Sequence, residues 1–188
     1  CGLRTHQAVV AAVSAGADAL GFVFSPSPRR IDPAKARDLC DGLPPEVIRV
    51  AVMRQPLAEE WAEVRSVFQP DWLQTDNADF DALMLGDCEP LPVFRTGITS
   101  TETEWPPRIL FESAHSGSGK KADWKEAARI AATTQMILAG GLDSDNLVSA
   151  IRTVKPWGVD VSSGVEFSRG IKALDKIREF VARARATE

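Results

Sequence analysis

The chain has 188 residues, 44% of them hydrophobic and 26% charged, with a formal net charge of −4. That length suffices for one domain with a sizeable core. The acidic balance, the lack of a basic stripe and the lack of an apolar run long enough to cross a bilayer argue against nucleic-acid and membrane roles. No segment reads as a signal or transit peptide. Cys1, Cys40 and Cys88 form an odd, sparse set without metal-ligand spacing, which fits a reduced, cytoplasmic protein.

In chain order, Thr5 is placed to cap a helix running to about Ser14, with Val9, Val10 and Val13 as its apolar face and Gly16 as its stop. Ala19 to Phe24 reads as a strand, and the proline-rich Ser25 to Arg30 as a loop. Asp32-Pro33 is an N-cap followed by proline in the first helical position, opening a helix that stops near Gly42. Val47 to Met53 is a strand. Leu57, Trp61, Val64 and Phe68 recur at helical spacing. Trp72 to Thr75 is a short strand, followed by a short helix marked by Phe80, Leu83 and Met84. Leu91 to Arg95 is a strand, and Gly97 to Pro107 a loop or degenerate helix. Ile109 to Glu112 is a strand, with a helix marked by Trp124, Ala128 and Ala131 after it. Met136 to Ala139 is a strand. The next helix carries Leu147, Ile151 and Val154, with Asp143 or Ser144 as its cap. Val159 to Ser162 is the last strand. A closing helix runs from about Ile171 to Arg185 with Leu174, Ile177 and Val181 inward.

Short apolar strands alternating with helices imply a parallel α/β sheet with right-handed crossovers. The tally is seven strands, plus a leading helix with no strand before it. A (β/α)8 TIM barrel needs eight strands. The expectation is therefore a single barrel domain over residues 1–188, its first strand lying upstream of Cys1. An open sheet is the competing architecture and needs no further strand.

Three consecutive strands end in glycine-rich mouths: Ser116-Gly117-Ser118-Gly119-Lys120, Ala139-Gly140-Gly141-Leu142 and Val161-Ser162-Ser163-Gly164-Val165. Small residues let backbone N–H groups approach and cradle an anion. Each turn alone is an ordinary feature of such connections; together they point to one phosphate pocket. The Gly117 to Lys120 stretch lacks P-loop spacing. In a barrel, Cys1 and Glu112 end strands at the catalytic rim, where a thiol and a carboxyl can act as acid and base. Arg29 and Asp76 follow strands on the same rim, and Asp160 lies in the last one. His6 and His115 lack metal or triad partners at recognisable spacing. Cys40, Trp61 and Trp124 read as packing residues, and Cys88 carries no role.

These stretches together resemble phosphoribosylanthranilate isomerase, the (β/α)8 enzyme of tryptophan biosynthesis. Cys1-Gly2-Leu3-Arg4, Gly16 to Phe24 with Ser27-Pro28-Arg29, Ala139 to Leu142, Val159 to Glu166 and Gly170-Ile171-Lys172 carry the likeness, which covers essentially the whole chain. The resemblance implies an Amadori rearrangement of N-(5-phosphoribosyl)anthranilate, a small-molecule phosphosugar substrate, with no metal or organic cofactor. It implies Cys1 as general base and Glu112 as general acid, and Arg29 facing the anthranilate carboxylate. It places Gly119, Gly140, Gly141, Ser163 and Gly164 on the phosphate turns. Asp76 and Asp160 are counted with the substrate-binding residues. Two departures stand out: Glu112 replaces the family's aspartate, and Gln74-Thr75-Asp76-Asn77 replaces its Gln-Leu-His-Gly. An isomerase of another phosphosugar and a non-catalytic phosphosugar-binding barrel remain alternatives. A cysteine in first position also marks mature bacterial lipoproteins.

Overall fold

The computed structural model describes residues 1–97, 104–113 and 122–187. Seven parallel strands stand side by side in chain order: β1 (Ala19–Val23), β2 (Ile48–Val52), β3 (Trp72–Asp76), β4 (Glu89–Arg95), β5 (Arg108–Glu112), β6 (Gln135–Leu138) and β7 (Gly158–Val159). Helices α1 (His6–Ser14), α2 (Pro33–Leu39), α3 (Ala58–Phe68), α4 (Trp124–Ala131), α5 (Leu147–Val154) and α6 (Leu174–Arg185) cover the outer face. Strand order equals chain order, as one-way winding of βα units requires. The sheet is an open half-barrel, not a closed eight-stranded barrel. Among the described residues, β1 and β7 each pair with a single strand.

Side-chain alternation sorts the strands into two faces. Leu73, Phe94, Ile109, Phe111, Met136 and Leu138 pack outward with the helices around the fully buried Trp61 and Phe68. Val50, Trp72, Leu91, Val93, Leu110 and Ala139 form a second, inner cluster. The residue two places after an inner residue lies on the same face, so Val93 and Leu110 bring Arg95 and Glu112 to the C-terminal rim on the inner side.

The predicted caps form. Thr5 Oγ1 accepts from the Ala8 N–H at 3.3 Å, and Asp32 Oδ1 from the Ala34 and Lys35 N–H groups at 2.9 and 3.2 Å. Several expectations are corrected. Val10 is exposed, and Ala8, Ala11 and Ala12 join Val9 in facing the core. Phe80 and Leu83 belong to a 3₁₀ turn, Asn77–Ala82, and its cap, while Met84 points to solvent. The helix after the Gly140-Gly141 turn begins only at Leu147, with Asn146 at its cap position. Asp143 works a turn earlier, where Oδ1 accepts from the Asp145 and Asn146 N–H groups at 3.0 and 2.9 Å.

The final segment differs most. Only Gly158–Val159 pairs as a strand, because the chain then bends into a 3₁₀ turn at Ser163–Val165. Ile171 does not begin the closing helix. It forms with Lys172 the strand β9, antiparallel to β8 (Glu166–Ser168), and the helix starts at Leu174. The tight hairpin turn uses Gly170 at φ +84°, where a side chain would strike the Pro28 carbonyl oxygen at 2.7 Å. Phe180 joins Ile177 as the buried anchor of α6.

Candidate active site

The C-terminal ends of the strands form one rim. Cys1 lies in the gap between the two edge strands: its backbone nitrogen donates to the Val161 carbonyl at 2.9 Å, and the Gly2 and Leu3 N–H groups donate to the Gly21 carbonyl at 2.8 and 3.1 Å. Gly21 is needed for this approach, since a Cβ there would sit 3.0 Å from the Cys1 sulfur. Cys1 is half-buried, whereas Cys40 and Cys88 are buried, and burial pushes their thiols up to about 11 and about 12.

Asp160 follows β7. Val159 and Val161 pack on the outer core, which leaves Asp160 on the inner face, with Oδ1 3.7 Å from the Cys1 nitrogen.

Arg29 is buried in a way the sequence does not announce. Its Nε and Nη2 donate to the two oxygens of Glu166 at 2.7 and 2.9 Å, a bidentate pair across 137 positions of sequence. Lys172 Nζ adds a third bond to Glu166 at 3.1 Å, and bonds the Ser162 carbonyl at 2.7 Å. Burial pushes the Glu166 carboxyl up, but Arg29, the Gly170 N–H and Lys172 outweigh it and hold it at about 2. Burial likewise pushes the Lys172 ammonium down against the pull of Glu166. This cluster adjoins the cysteine: Gly2, at φ +73°, would place a Cβ 2.8 Å from Arg29 Cδ and 3.2 Å from Ser162 Oγ.

The glycine turns interlock. Gly140, at φ +86°, lies so close to the end of β5 that a Cβ would meet the Ser113 nitrogen at 2.7 Å. A Cβ on Gly164 would overlap the Leu142 carbonyl oxygen at 2.0 Å. The mouths of β5, β6 and β7, with Gly140, Gly141, Ser163 and Gly164, therefore pack against one another. Asn146, buried beneath, ties the middle turn through Nδ2 to the Gly141 carbonyl at 2.8 Å. Gly119, like His115, lies outside the described residues.

Glu112 ends β5 on the inner face and is 9% exposed. Arg95 stands directly opposite it in the β4–β5 register. Its Nε is 3.1 Å from Glu112 Oε1, and its Nη2 is 2.6 Å from Asp76 Oδ1. Asp76 and Glu112 are thus joined through one guanidinium. Arg95, Glu166, Lys172 and Ser162 were not singled out from sequence. The signal for Arg95 was available: Leu91, Val93 and Arg95 share one face of a strand, so the arginine had to emerge at the rim. No comparable pattern foretold the Arg29–Glu166 pair, which depends on a hairpin after the barrel strands.

The comparisons with known proteins agree along the full chain. The sequence model of N-(5'phosphoribosyl)anthranilate (PRA) isomerase matches residues 1–183. The N-(5'-phosphoribosyl)anthranilate isomerase of Roseiflexus sp. (strain RS-1) is 37% identical over 206 aligned positions, covering 99% of this chain and 96% of that one. The crystal structure of phosphoribosyl anthranilate isomerase from Thermus thermophilus superposes with a TM-score of 0.86 at 29% identity, covering 100% and 98% of the two chains. Another solved phosphoribosyl anthranilate isomerase, with a TM-score of 0.80 at 30% identity and coverage of 99% and 96%, is in complex with reduced 1-(o-carboxyphenylamino)-1-deoxyribulose 5-phosphate.

Proposed function

The chain belongs to the phosphoribosylanthranilate isomerase family, and from that premise we propose how its own residues divide the work. The reaction is the isomerisation of N-(5'-phosphoribosyl)anthranilate in tryptophan biosynthesis. Glu112 gives its proton to the ribose ring oxygen. The ring C–O bond breaks and a Schiff base forms at C1. The Cys1 thiolate takes the C2 proton, leaving an enolamine. That enolamine loses its hydroxyl proton and gains one at C1, giving the ketone. No atom is gained or lost overall.

The observation that carries this reading is the shared rim. Cys1, held between Val161 and Gly21, and Glu112, at the end of β5, both stand at the C-terminal ends of one parallel sheet. Between them lie the packed turns of Gly140, Gly141, Ser163 and Gly164, whose backbone donors suit a phosphate. Gly119 is assigned to the same phosphate group on the resemblance alone. Arg29, fixed by Glu166 through Nε and Nη2, offers Nη1 to the anthranilate carboxylate. Asp160 lines the substrate side of Cys1, and Asp76 bears on the substrate through Arg95.

The reading extends to the whole chain as one cytoplasmic domain over residues 1–188; among the described residues no helix is long and apolar enough to cross a membrane. It also includes barrel closure. A groove of about 610 Å3 runs between β1 and β7 beneath α1 and α6, lined by Leu20, Ile48, Val159, Ile177 and Phe180 among others. An apolar strand entering ahead of Cys1 would pair with both edges and complete eight.

The test is consumption of freshly prepared phosphoribosylanthranilate, followed by its fluorescence. The wild-type chain turns over. Cys1→Ala and Glu112→Gln each lose about 10²- to 10⁴-fold in kcat, the usual contribution of a positioned acid or base. Full activity in either variant removes that residue from its role.

A further inference from the structure

We propose that Arg95 is a positioning residue for Glu112, anchored on its other side by Asp76, and that this clamp fixes the reach of a long, flexible carboxyl at the end of β5. The inference rests on the reading of Glu112 as general acid.

Glutamate has one more rotatable bond than aspartate. At the end of a strand its carboxyl sweeps a wider arc, and a misplacement of about 1 Å costs on the order of 10²-fold in rate. Something must hold it. Parallel register places Arg95 opposite Glu112, and alternation puts both on the inner face. Asp76, on β3, has the same facing, since Trp72, two turns of the pleat earlier, lies in the inner cluster. The guanidinium is planar, so its two bonds are not independent. Fixing Nη2 on Asp76 at 2.6 Å sets the direction in which Nε meets Glu112 Oε1 at 3.1 Å; the Asp76 carboxylate offsets the guanidinium's charge, so that in the proposed role Oε2 carries the proton to be given. All three side chains are largely shielded, at 21%, 15% and 11% exposure for Asp76, Arg95 and Glu112, so solvent competes weakly for these bonds.

Asp76 is itself well held. It occupies the N-cap position of the 3₁₀ turn Asn77–Ala82, its side chain turned to Arg95 and making no cap bond, and that turn is pinned by Asp79, which accepts from the Gln55 N–H at 3.0 Å and from the Thr75 hydroxyl. Asp76, Arg95 and Glu112 thus form one linked unit across β3, β4 and β5. A long acid is combined with a rim carboxylate that steers the arginine beside it.

The experiment measures kcat and KM with phosphoribosylanthranilate for the full chain and for Arg95→Lys, Arg95→Met, Asp76→Asn and Glu112→Gln. Thermal unfolding and binding of reduced 1-(o-carboxyphenylamino)-1-deoxyribulose 5-phosphate accompany each. Arg95→Met is expected to lose about 10²-fold in kcat with KM changed by no more than about threefold, the mark of an interaction that matters at the chemical step. Arg95→Lys should recover part of that loss, and Asp76→Asn should lose about tenfold, less than Arg95→Met because only the anchor is gone. In a Glu112→Gln background, Arg95→Met should cost nothing further, because the two act as a unit. An Arg95→Met enzyme within about twofold of wild type in kcat, beside an inactive Glu112→Gln, overturns the clamp and leaves the acid in place. An active Glu112→Gln overturns the acid itself. If Arg95→Met does not fold, Arg95→Lys and Asp76→Asn decide, and unchanged kcat in both refutes the proposal.

Discussion

Glu166 is a buried carboxylate whose environment differs sharply from that in the unfolded chain. Its carboxylate meets Arg29 twice and Lys172 once in a largely shielded site. Its value in the folded chain, about 2, lies below the ordinary 4.5. The stability linked to that difference is fully present above the ordinary value and is lost as pH falls through about 2. Its size is about 3 kcal/mol. Glu166→Gln should therefore be less stable than wild type at pH 7, by a denaturant titration, and the gap should narrow as both are titrated toward pH 2. A gap that stays constant with pH would mean that packing, not charge, supplies the difference. Removing this carboxylate also leaves Arg29 and Lys172 without their shared anion, which costs more than removing a surface pair. Of the residues most visible in the sequence, Glu112 ends β5 and Cys1 lies in the gap between the two edge strands. Glu166 was invisible as an ion-pair partner because its arginine lies 137 positions away and no local pattern links them.

At the level of the elements, the glycine turns do different jobs that the sequence cannot tell apart. Gly42 has φ +74° with no atom within 4 Å of an added Cβ, so its glycine serves backbone conformation alone. Gly164 is required by contact, because the Leu142 carbonyl already occupies the space a Cβ would take. Gly42→Ala should cost roughly 1–2 kcal/mol through the left-handed conformation and leave KM unchanged. Gly164→Ala should cost about 1–3 kcal/mol as an overpacked contact and raise KM by moving the β6 and β7 mouths apart. Equal kinetic behaviour in the two variants would sever the link between this packing and substrate binding. Most strands and helices were legible because apolar residues repeat at period two or near 3.6. The β7 region was not. Val159 and Val161 look like strand residues, yet Ser162 to Val165 must bend under Leu142, and contact with a neighbouring turn overrides the local preference. The hairpin of β8 and β9 is hidden for a related reason: Ile171-Lys172 runs into the helical pattern of α6 with only Ala173 between, and the Gly170 turn against Pro28 folds it back on β8.

Across the whole molecule, the count of seven strands and their parallel order were readable from the alternation of elements, and the superposition on solved relatives bears out the winding. Closure is a different matter, because an open half-barrel and a complete barrel share the same periodicity over the strands they have in common. Among the described residues β1 and β7 are the edges of the sheet, with the 610 Å3 groove between them, and a sheet edge invites pairing with a further strand. Adding a five-residue apolar strand ahead of Cys1 should raise the melting temperature and lower the tendency to aggregate, as read by calorimetry and light scattering. No change in either would count against the groove as a strand slot.

Cys1 takes its position from Val161, 160 residues along the chain, and Arg29 is set by Glu166. Contacts this far apart in sequence close large loops and so form late. The bonds to Gly21 span few positions and can form early, but the seat of Cys1 is complete only once the Val161 region has joined the sheet. A chain opened at the β7 end is expected to keep Glu112 in place on β5 but to lack the full seat of the proton acceptor. Turnover thus reports completion of folding, and on gentle denaturation it should vanish before helical content does.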